Sequence, residues 1–198
     1  MTQVTERAAA KRRLVVEAAC LVFRRHGFAR TSIDAIAEEA GISRPSLYLV
    51  FPNKEAVFAA AVHHMGDLAL AQLREALPKK GTLEEQVVFV CAEWAGRGYD
   101  RMKENPDAKD LTDPSLPPVR DVYDKLQAFL AELLSDAVAR SSLNATPMQV
   151  AGLLVSAMRG FKEIARDGAE VRQMIALQVG ILMRSLKAEG RSTRRKRT

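Results

Sequence analysis

Residues 31 to 55 constrain the fold most, because they predict two short helices joined by a tight turn. Their sequence is TSIDAIAEEAGISRPSLYLVFPNKE. Apolar residues at positions 33, 36, 37 and 40 follow the i, i+3, i+4, i+7 spacing of one helix face. Gly41 then stands where the chain needs a positive φ, which a residue without Cβ adopts at little cost. We therefore expect the chain to turn at Gly41.

Two predicted caps mark where these helices begin. Thr31, with Asp34 three residues later, has the spacing of a capping box for the first helix. Ser43 is placed to cap the second helix, and Pro45 is tolerated there because a first-turn N–H has no partner within the helix. The second helix is therefore expected to begin just after Ser43.

The second helix has an apolar side and a free side. Leu47 and Phe51 are predicted to be buried, and the opposite side is then free, as in a helix that enters the major groove of DNA. The residues predicted to point outward are Arg44, Pro45, Ser46 and Tyr48.

These residues follow a pattern found in known proteins. The pattern comprises Thr31, Ile36-Ala37, Ala40-Gly41-Ile42-Ser43, Ser46-Leu47-Tyr48, Phe51 and Asn53-Lys54-Glu55, with Val15, Ala18-Ala19, Phe23, Gly27 and Phe28 upstream. It resembles the helix-turn-helix signature of the tetracycline-repressor (TetR) family of transcriptional regulators. One departure is Val50, where family members often carry a His or Tyr.

The resemblance implies an all-α fold in which a three-helix DNA-binding head is joined to a helical body for ligand binding and dimerisation. The corresponding domain prediction is a head over residues 1–52, a body over 53–190 and a basic, disordered tail over 191–198. In the head, Arg44 and Ser46 are expected to reach base edges, and Leu49 a thymine methyl. The residues expected to hold the phosphate backbone are Thr31, Ser43, Tyr48 and Lys54. Pro45 is also expected to belong to the DNA-binding surface.

The positive charge lies at the two ends of the chain. The net charge is +6, and residues 184–198 hold seven Lys or Arg against one Asp or Glu. Clustered basic residues favour a polyanion because they release counterions from DNA. The tail RSTRRKRT is therefore interpreted in two ways, as an arm that reaches backbone phosphates or as a solubilising end.

The remainder of the chain is predicted to be helical apart from a proline-rich loop over residues 103–118 that holds one helical turn. Thr146 followed by Pro147 is a strong helix start. The last two helices are apolar beyond one stripe, with small residues at Gly152, Ser156 and Gly160, which predicts burial on two sides. The alternatives are one large core helix and a homodimer interface, and the resemblance favours the homodimer.

Candidate ligand-binding residues in the body are few and mostly apolar. They are His64, Phe89, Trp94, Met102, Tyr123, Phe129, Met158 and Phe161, although apolar residues at helical spacing more often form plain core. His64 has three interpretations: a core histidine, a residue that contacts a ligand, and a metal ligand. Cys20 and Cys91 lack metal-ligand spacing and are expected to be reduced core residues of a cytosolic protein.

No catalytic motif is present in the sequence, since it lacks HExxH, GxSxG, GxGxxG and P-loop patterns. We predict neither an enzyme nor a bound cofactor or metal. The absence of a long apolar run and of a signal peptide predicts a cytoplasmic protein with no membrane partner.

The sequence therefore predicts a ligand-responsive, homodimeric regulator that binds an operator in double-stranded DNA and is released by a small molecule. Repression in preference to activation follows from the resemblance alone. Two alternatives remain open, a sequence-tolerant DNA-coating or architectural protein and a helical carrier or enzyme. The ratio of specific to non-specific DNA affinity separates the first from a regulator.

Overall fold

The computed structural model describes residues 2–77 and 81–187, and this part of the chain is helical without a strand. The α-helices are α1 (Thr2–Arg30), α2 (Ile33–Glu39), α3 (Arg44–Tyr48), α4 (Lys54–Ala76), α5 (Leu83–Glu104), α6 (Pro117–Arg140), α7 (Pro147–Ile164) and α8 (Gly168–Lys187). A 3₁₀ helix over Pro106–Thr112 lies between α5 and α6. The predicted all-α fold is confirmed. None of the described helices is both long and apolar enough to cross a bilayer.

Contacts within the described residues divide the chain into two compact units. The first unit comprises Met1–Ala69 and Arg101–Val122, and the second comprises Leu70–Asp100 and Tyr123–Thr198. Helices α4, α5 and α6 therefore each contribute residues to both units. The domain boundaries predicted at residues 52 and 190 stay predictions. The predicted tail, residues 191–198, lies outside the described residues.

In the first unit, the helical path of α1 is broken at Gly27, which has φ 69°. Beyond this break, α1 resumes as far as Arg30. The break lets the next residue, Phe28, turn inward onto Phe58, with ring centroids 4.7 Å apart. Phe23 packs edge-on against Phe58 at 5.2 Å. These three rings anchor α1 to α4.

Within the segment predicted as a loop with one helical turn, the 3₁₀ helix over Pro106–Thr112 packs on the break in α1. Oδ2 of Asp110 accepts hydrogen bonds from the backbone N–H groups of Phe28, at 2.6 Å, and Ala29, at 3.3 Å. Arg30 forms an ion pair with Asp107. The break leaves backbone donors without helical partners, and Asp110 satisfies two of them.

The second unit is built mainly from α5 to α8, and the helix start predicted at Thr146 is confirmed. Thr82 and Glu85 form a reciprocal capping box, as do Thr146 and Gln149. Buried apolar side chains of this unit include Val87, Val90, Leu126, Leu130, Leu134, Leu154, Ile175 and Val179. Helices α7 and α8 also carry apolar side chains on the side away from this core. The exposed ones are Met148, Leu153, Ile164, Leu177 and Ile181.

Candidate nucleic-acid interface

The N-cap of α2 is Ser32, which corrects the predicted capping box of Thr31 and Asp34. Oγ of Ser32 accepts a hydrogen bond from the backbone N–H of Ala35 at 3.1 Å. Thr31 is buried, and its hydroxyl donates to the carbonyl of Gly27 at 2.6 Å. Because that carbonyl lies at the break in α1, it needs a partner, and the capping role passes to the next residue.

The turn between α2 and α3 follows the prediction. Gly41 has φ 62° and directly follows Ala40, the C-cap of α2. Ser43 caps α3 by accepting from the backbone N–H of Ser46 at 3.4 Å, and Pro45 occupies the first turn. Each turn residue therefore fills the backbone conformation for which its type is suited.

Helix α3 buries one side and exposes the other. Leu47 and Phe51 are almost fully buried, at 0% and 1% exposure. On the outer side, Leu49 is 80% exposed and Tyr48 is 42% exposed, so an apolar and an aromatic side chain face solvent. The other predicted DNA-contacting residues of this segment, Ser43, Arg44, Pro45 and Ser46, are exposed or half-buried. The outer side of α3 is therefore accessible to a partner molecule.

Arg44 is held on this outer side by two partners. Its Nη1 donates to both carboxylate oxygens of Asp34, at 3.1 and 2.8 Å, and its Nη2 lies 3.4 Å from the hydroxyl of Tyr48. The hydrogen bond with Tyr48, followed by the negative charge of Asp34, raises the pKa of Arg44. Sequence reasoning missed this role of Asp34, because the two residues lie ten positions apart on different helices. The guanidinium is consequently charged and oriented before any partner arrives.

Lys54, predicted to contact phosphate, has partners inside the protein. Its Nζ donates to the carbonyls of Phe28, at 2.9 Å, and Thr31, at 3.1 Å, and lies 4.3 Å from the centre of the Phe28 ring. The side chain thereby joins the start of α4 to the end of α1.

A basic residue that the sequence did not single out, Arg12, supports α3 from behind. Nη1 of Arg12 donates to the carbonyl of Val50 at 3.1 Å, and its guanidinium lies 4.1 Å from the centre of the Phe51 ring. The sequence shows only that Arg12 is a basic residue on the first helix, and it does not indicate the partner of this side chain. The carbonyl of Val50 lies just beyond the end of α3, where a positive charge complements the helix dipole.

The predicted ligand residues are distributed over both units. His64 and Met102 belong to the first unit, and the remaining six belong to the second. Trp94 and Tyr123 pack with ring centroids 6.4 Å apart, while Phe129 and Met158 are buried at 4% and 2% exposure. Phe161 is half-buried. Phe89 helps to line an open surface pocket with Thr82, Glu84, Glu85 and Val88.

The titratable side chains of the described residues do not form a catalytic constellation that we can identify. His63, not His64, has a carboxylate partner, with its Nε2 3.0 Å from Asp121. No group of three or more potential metal ligands occurs among residues 2–77 and 81–187. Burial raises the pKa of Cys20 to about 11 and that of Cys91 to about 12. Both thiols are therefore protonated at neutral pH and are poor nucleophiles.

Two short helices around a glycine turn, with the second helix exposed, define a helix-turn-helix protein. Comparison with known proteins then finds a family with a similar amino-terminal region. Residues 15–61 match the model of the bacterial regulatory proteins of the tetR family. The amino-terminal region of the chain is therefore similar to that of the tetR-family regulators, which confirms the resemblance predicted from the sequence.

The similarity to curated proteins is confined to the same region. The chain is 38% identical over 65 residues to the HTH-type transcriptional regulator RutR of Escherichia coli (strain K12). That alignment covers 33% of this chain and 31% of RutR, so the chain matches less than a third of this relative's length.

Solved structures share the fold over most of the chain. The transcriptional regulator FadR from Bacillus subtilis, in complex with stearoyl-CoA, superposes with a TM-score of 0.64 at 13% identity, over 84% of this chain and 96% of FadR. A putative TetR-family regulator from Mesorhizobium loti gives a TM-score of 0.62 at 19% identity, over 89% and 96% of the two chains. At these identities the similarity concerns the fold alone.

Proposed function

We propose that this protein is a homodimeric, cytoplasmic regulator of transcription that binds a palindromic operator and is released from it by a small molecule. The observation that carries the proposal is the outer side of α3, where Arg44, Tyr48 and Leu49 are exposed on a helix that its other side fixes to the core. Its action as a repressor follows the family.

In this proposal each side chain of α3 contacts a different part of the duplex. Arg44 binds the O6 and N7 acceptors of guanine, Leu49 lies against a thymine methyl, and Ser46 reaches a neighbouring base edge. Ser43 and Tyr48 contact phosphates, and Pro45 lies beside the backbone at the first turn of α3.

Thr31 and Lys54 take part in the proposed interface mainly by positioning it. Lys54 holds the carbonyls of Phe28 and Thr31, and Thr31 holds that of Gly27, so together they fix the start of α2. A phosphate contact by Lys54 requires its ammonium group to share its donors between these carbonyls and DNA.

The dimeric state is supported by the apolar residues that α7 and α8 leave exposed. Leu153 is 70% exposed and Leu177 is 62% exposed, on helices whose other sides form the core. Gly160 leaves open space around the position of a Cβ, whereas Gly152 is already covered by the side chain of Gln127. A two-fold interface through these helices would place two heads on the two halves of a palindrome.

Response to a ligand is supported by the shared fold, since FadR from Bacillus subtilis was solved with stearoyl-CoA. A ligand that binds more tightly to the conformation with low DNA affinity shifts the protein toward that conformation, and by linkage the affinity of the protein for DNA falls. Helices α4, α5 and α6 each have residues in both units and are therefore candidates to carry such a change.

Selection of binding sites from random DNA tests the proposal. We expect the wild-type protein to enrich one palindromic sequence whose half-sites are about one helical turn apart. Enrichment of no sequence, with binding to every pool member alike, would identify the protein as a DNA-coating protein and contradict the proposal.

A further inference from the structure

Two basic side chains of α7 converge on one tyrosine of α6. Nζ of Lys162 donates to the hydroxyl of Tyr123 at 3.2 Å and lies 5.7 Å from the centre of its ring. The guanidinium carbon of Arg159 also lies 5.7 Å from that centre. Residues three positions apart lie on the same face of a helix, so α7 presents both charges together.

This basic pair is partly removed from solvent. Tyr123 is 8% exposed, and both Arg159 and Lys162 are half-buried. The stem of Lys162 passes over α5 at Gly98, where an added Cβ would lie 3.5 Å from Nζ. A charge in such surroundings is less screened by water than one on an open surface, and it attracts an opposite charge more strongly.

The charge of the pair is not balanced by a carboxylate of the described residues. Arg97 and Arg166, the neighbouring arginines, form ion pairs with Glu93 and Glu170. Neither Arg159 nor Lys162 forms an ion pair with any described acidic side chain, and the partner of both is the neutral Tyr123. Partly buried cations ordinarily have an anionic partner within the protein. Because Arg159 and Lys162 have none among the described residues, they are suited to bind an anion from solution.

An apolar surface adjoins the pair. The ring of Trp94 packs against Tyr123 at 6.4 Å and is half-buried. The face of an aromatic ring binds flat or aliphatic groups. Trp94 is the single tryptophan of the chain, so tryptophan fluorescence reports on this cluster alone. The cluster thus combines two cations, a hydroxyl and an aromatic face within the second unit.

We propose that Arg159 and Lys162 bind the acidic group of the effector, which is an organic anion with an apolar body that lies against Trp94. The inference rests on the proposed function, to which it adds the chemical class of the ligand. Lys162 keeps two donors beyond the one given to Tyr123, and the Arg159 fork matches the paired oxygens of a carboxylate or phosphate.

Fluorescence of Trp94 tests for an anion site directly. Iodide is expected to quench Trp94 more strongly than caesium does, with acrylamide as the neutral reference, because the basic pair raises the local anion concentration. The variant Arg159→Met/Lys162→Met is expected to lower the iodide quenching constant at least about twofold, and Arg166→Met, which removes a paired arginine, to leave it unchanged. Equal quenching by iodide and caesium in the wild type would overturn the inference without any variant.

Matched probes then test the class of ligand. Octanoate and octyl phosphate are expected to change the fluorescence of Trp94 and to weaken operator binding, whereas octanol, with the same chain, is expected to do neither. If only one of the two anions gives a response, that result shows whether the effector's acidic group is a carboxylate or a phosphate. Equal response to octanol, or none to either anion, would overturn the inference.

Measurements of operator binding distinguish a failure of this inference from a failure of the proposed function. Without probe, Arg159→Met/Lys162→Met and the milder Lys162→Gln are expected to bind the operator as the wild type does. If the wild type selects no operator, the proposed function fails while the quenching result stands by itself. If operator binding is normal and the anion response survives in both variants, only the anion site is overturned.

Discussion

Arg44 is bound to Asp34 and Tyr48 in the free protein, yet the proposed function requires it to bind DNA. An exposed ion pair of this kind is weak, because water and salt compete for both charges. A guanine can therefore take over donors of the guanidinium while Asp34 keeps its orientation. The contact with Asp34 explains how a long side chain on a five-residue helix is held at the outer surface.

The first prediction concerns base recognition by Arg44. Arg44→Ala is expected to weaken binding to the selected site by about 1–3 kcal/mol and to affect random DNA much less, because a bidentate base contact is lost. Fluorescence anisotropy with both DNAs at one salt concentration measures the difference. An equal loss on both would show that Arg44 contacts phosphate instead.

The second prediction concerns Asp34, whose carboxylate orients Arg44 and repels phosphates. Asp34→Asn is expected to strengthen binding to random DNA and to make the slope of log K against log salt steeper by about 0.9, since one more cation is free to pair with phosphate. The ratio of specific to non-specific affinity should fall.

Glu38→Gln is the matched control for Asp34→Asn, since it removes one exposed negative charge from α2 without touching Arg44. If Glu38→Gln changes the affinity ratio as much as Asp34→Asn does, the effect is one of net charge, and the positioning role of Asp34 is refuted.

At the scale of helices, turns and helix starts that depend on one or two neighbouring residues could be predicted from the sequence. Features that depend on contacts between residues far apart in the sequence could not. Gly41, Ser43 and the start at Thr146 each follow from one residue's backbone preference, and the structure agrees. Thr31 and Ser32 are both residue types that cap helices well. Ser32 is the cap because the hydroxyl of Thr31 is already bound to the carbonyl of Gly27, at the break in α1.

The same distinction applies within the candidate site. The exposed side of α3 follows from helical periodicity, since Leu47 and Phe51 must face the core. The contacts of Arg44 with Asp34, Lys54 with Phe28, and Arg12 with Val50 join residues 10, 26 and 38 positions apart. No local pattern encodes such pairs, so they required the tertiary structure.

The third prediction tests the break in α1. Both Gly27 and Gly41 have positive φ, so either change to Ala strains the backbone, at a cost of about 1 kcal/mol or more. At Gly27 the new Cβ would also lie 2.1 Å from the carbonyl oxygen of Asp107, whereas at Gly41 nothing lies within 4 Å. Gly27→Ala is therefore expected to destabilise the protein by at least about 1 kcal/mol more than Gly41→Ala.

Urea unfolding of the two variants gives the free energies for this comparison. The difference reports the packing of the 3₁₀ helix on α1 together with the ψ of 175° that Gly27 adopts, a conformation that essentially only glycine occupies. Equal losses would mean that the segment around Asp107 does not pack closely on Gly27 in solution.

For the molecule as a whole, dimerisation through α7 and α8 is the proposal with the largest consequence. Ile181 is 54% exposed on α8, whereas its neighbour Leu182 is half-buried. Ile181→Glu is expected to yield monomers in sedimentation and to weaken binding to the palindrome about a hundredfold, since the two heads no longer bind as a linked pair. Ala176→Glu adds the same charge at another exposed position of α8 and should remain dimeric. A dimeric Ile181→Glu protein would place the interface elsewhere.

The central claim is that α3 gives this protein a preference for one DNA sequence. The most direct test is the affinity of the wild-type protein for its selected palindrome and for a shuffled duplex of equal length and composition, both at 150 mM salt. We predict a ratio of at least about a thousand, which lies within the range of specific DNA-binding proteins. A ratio near one would contradict the claim.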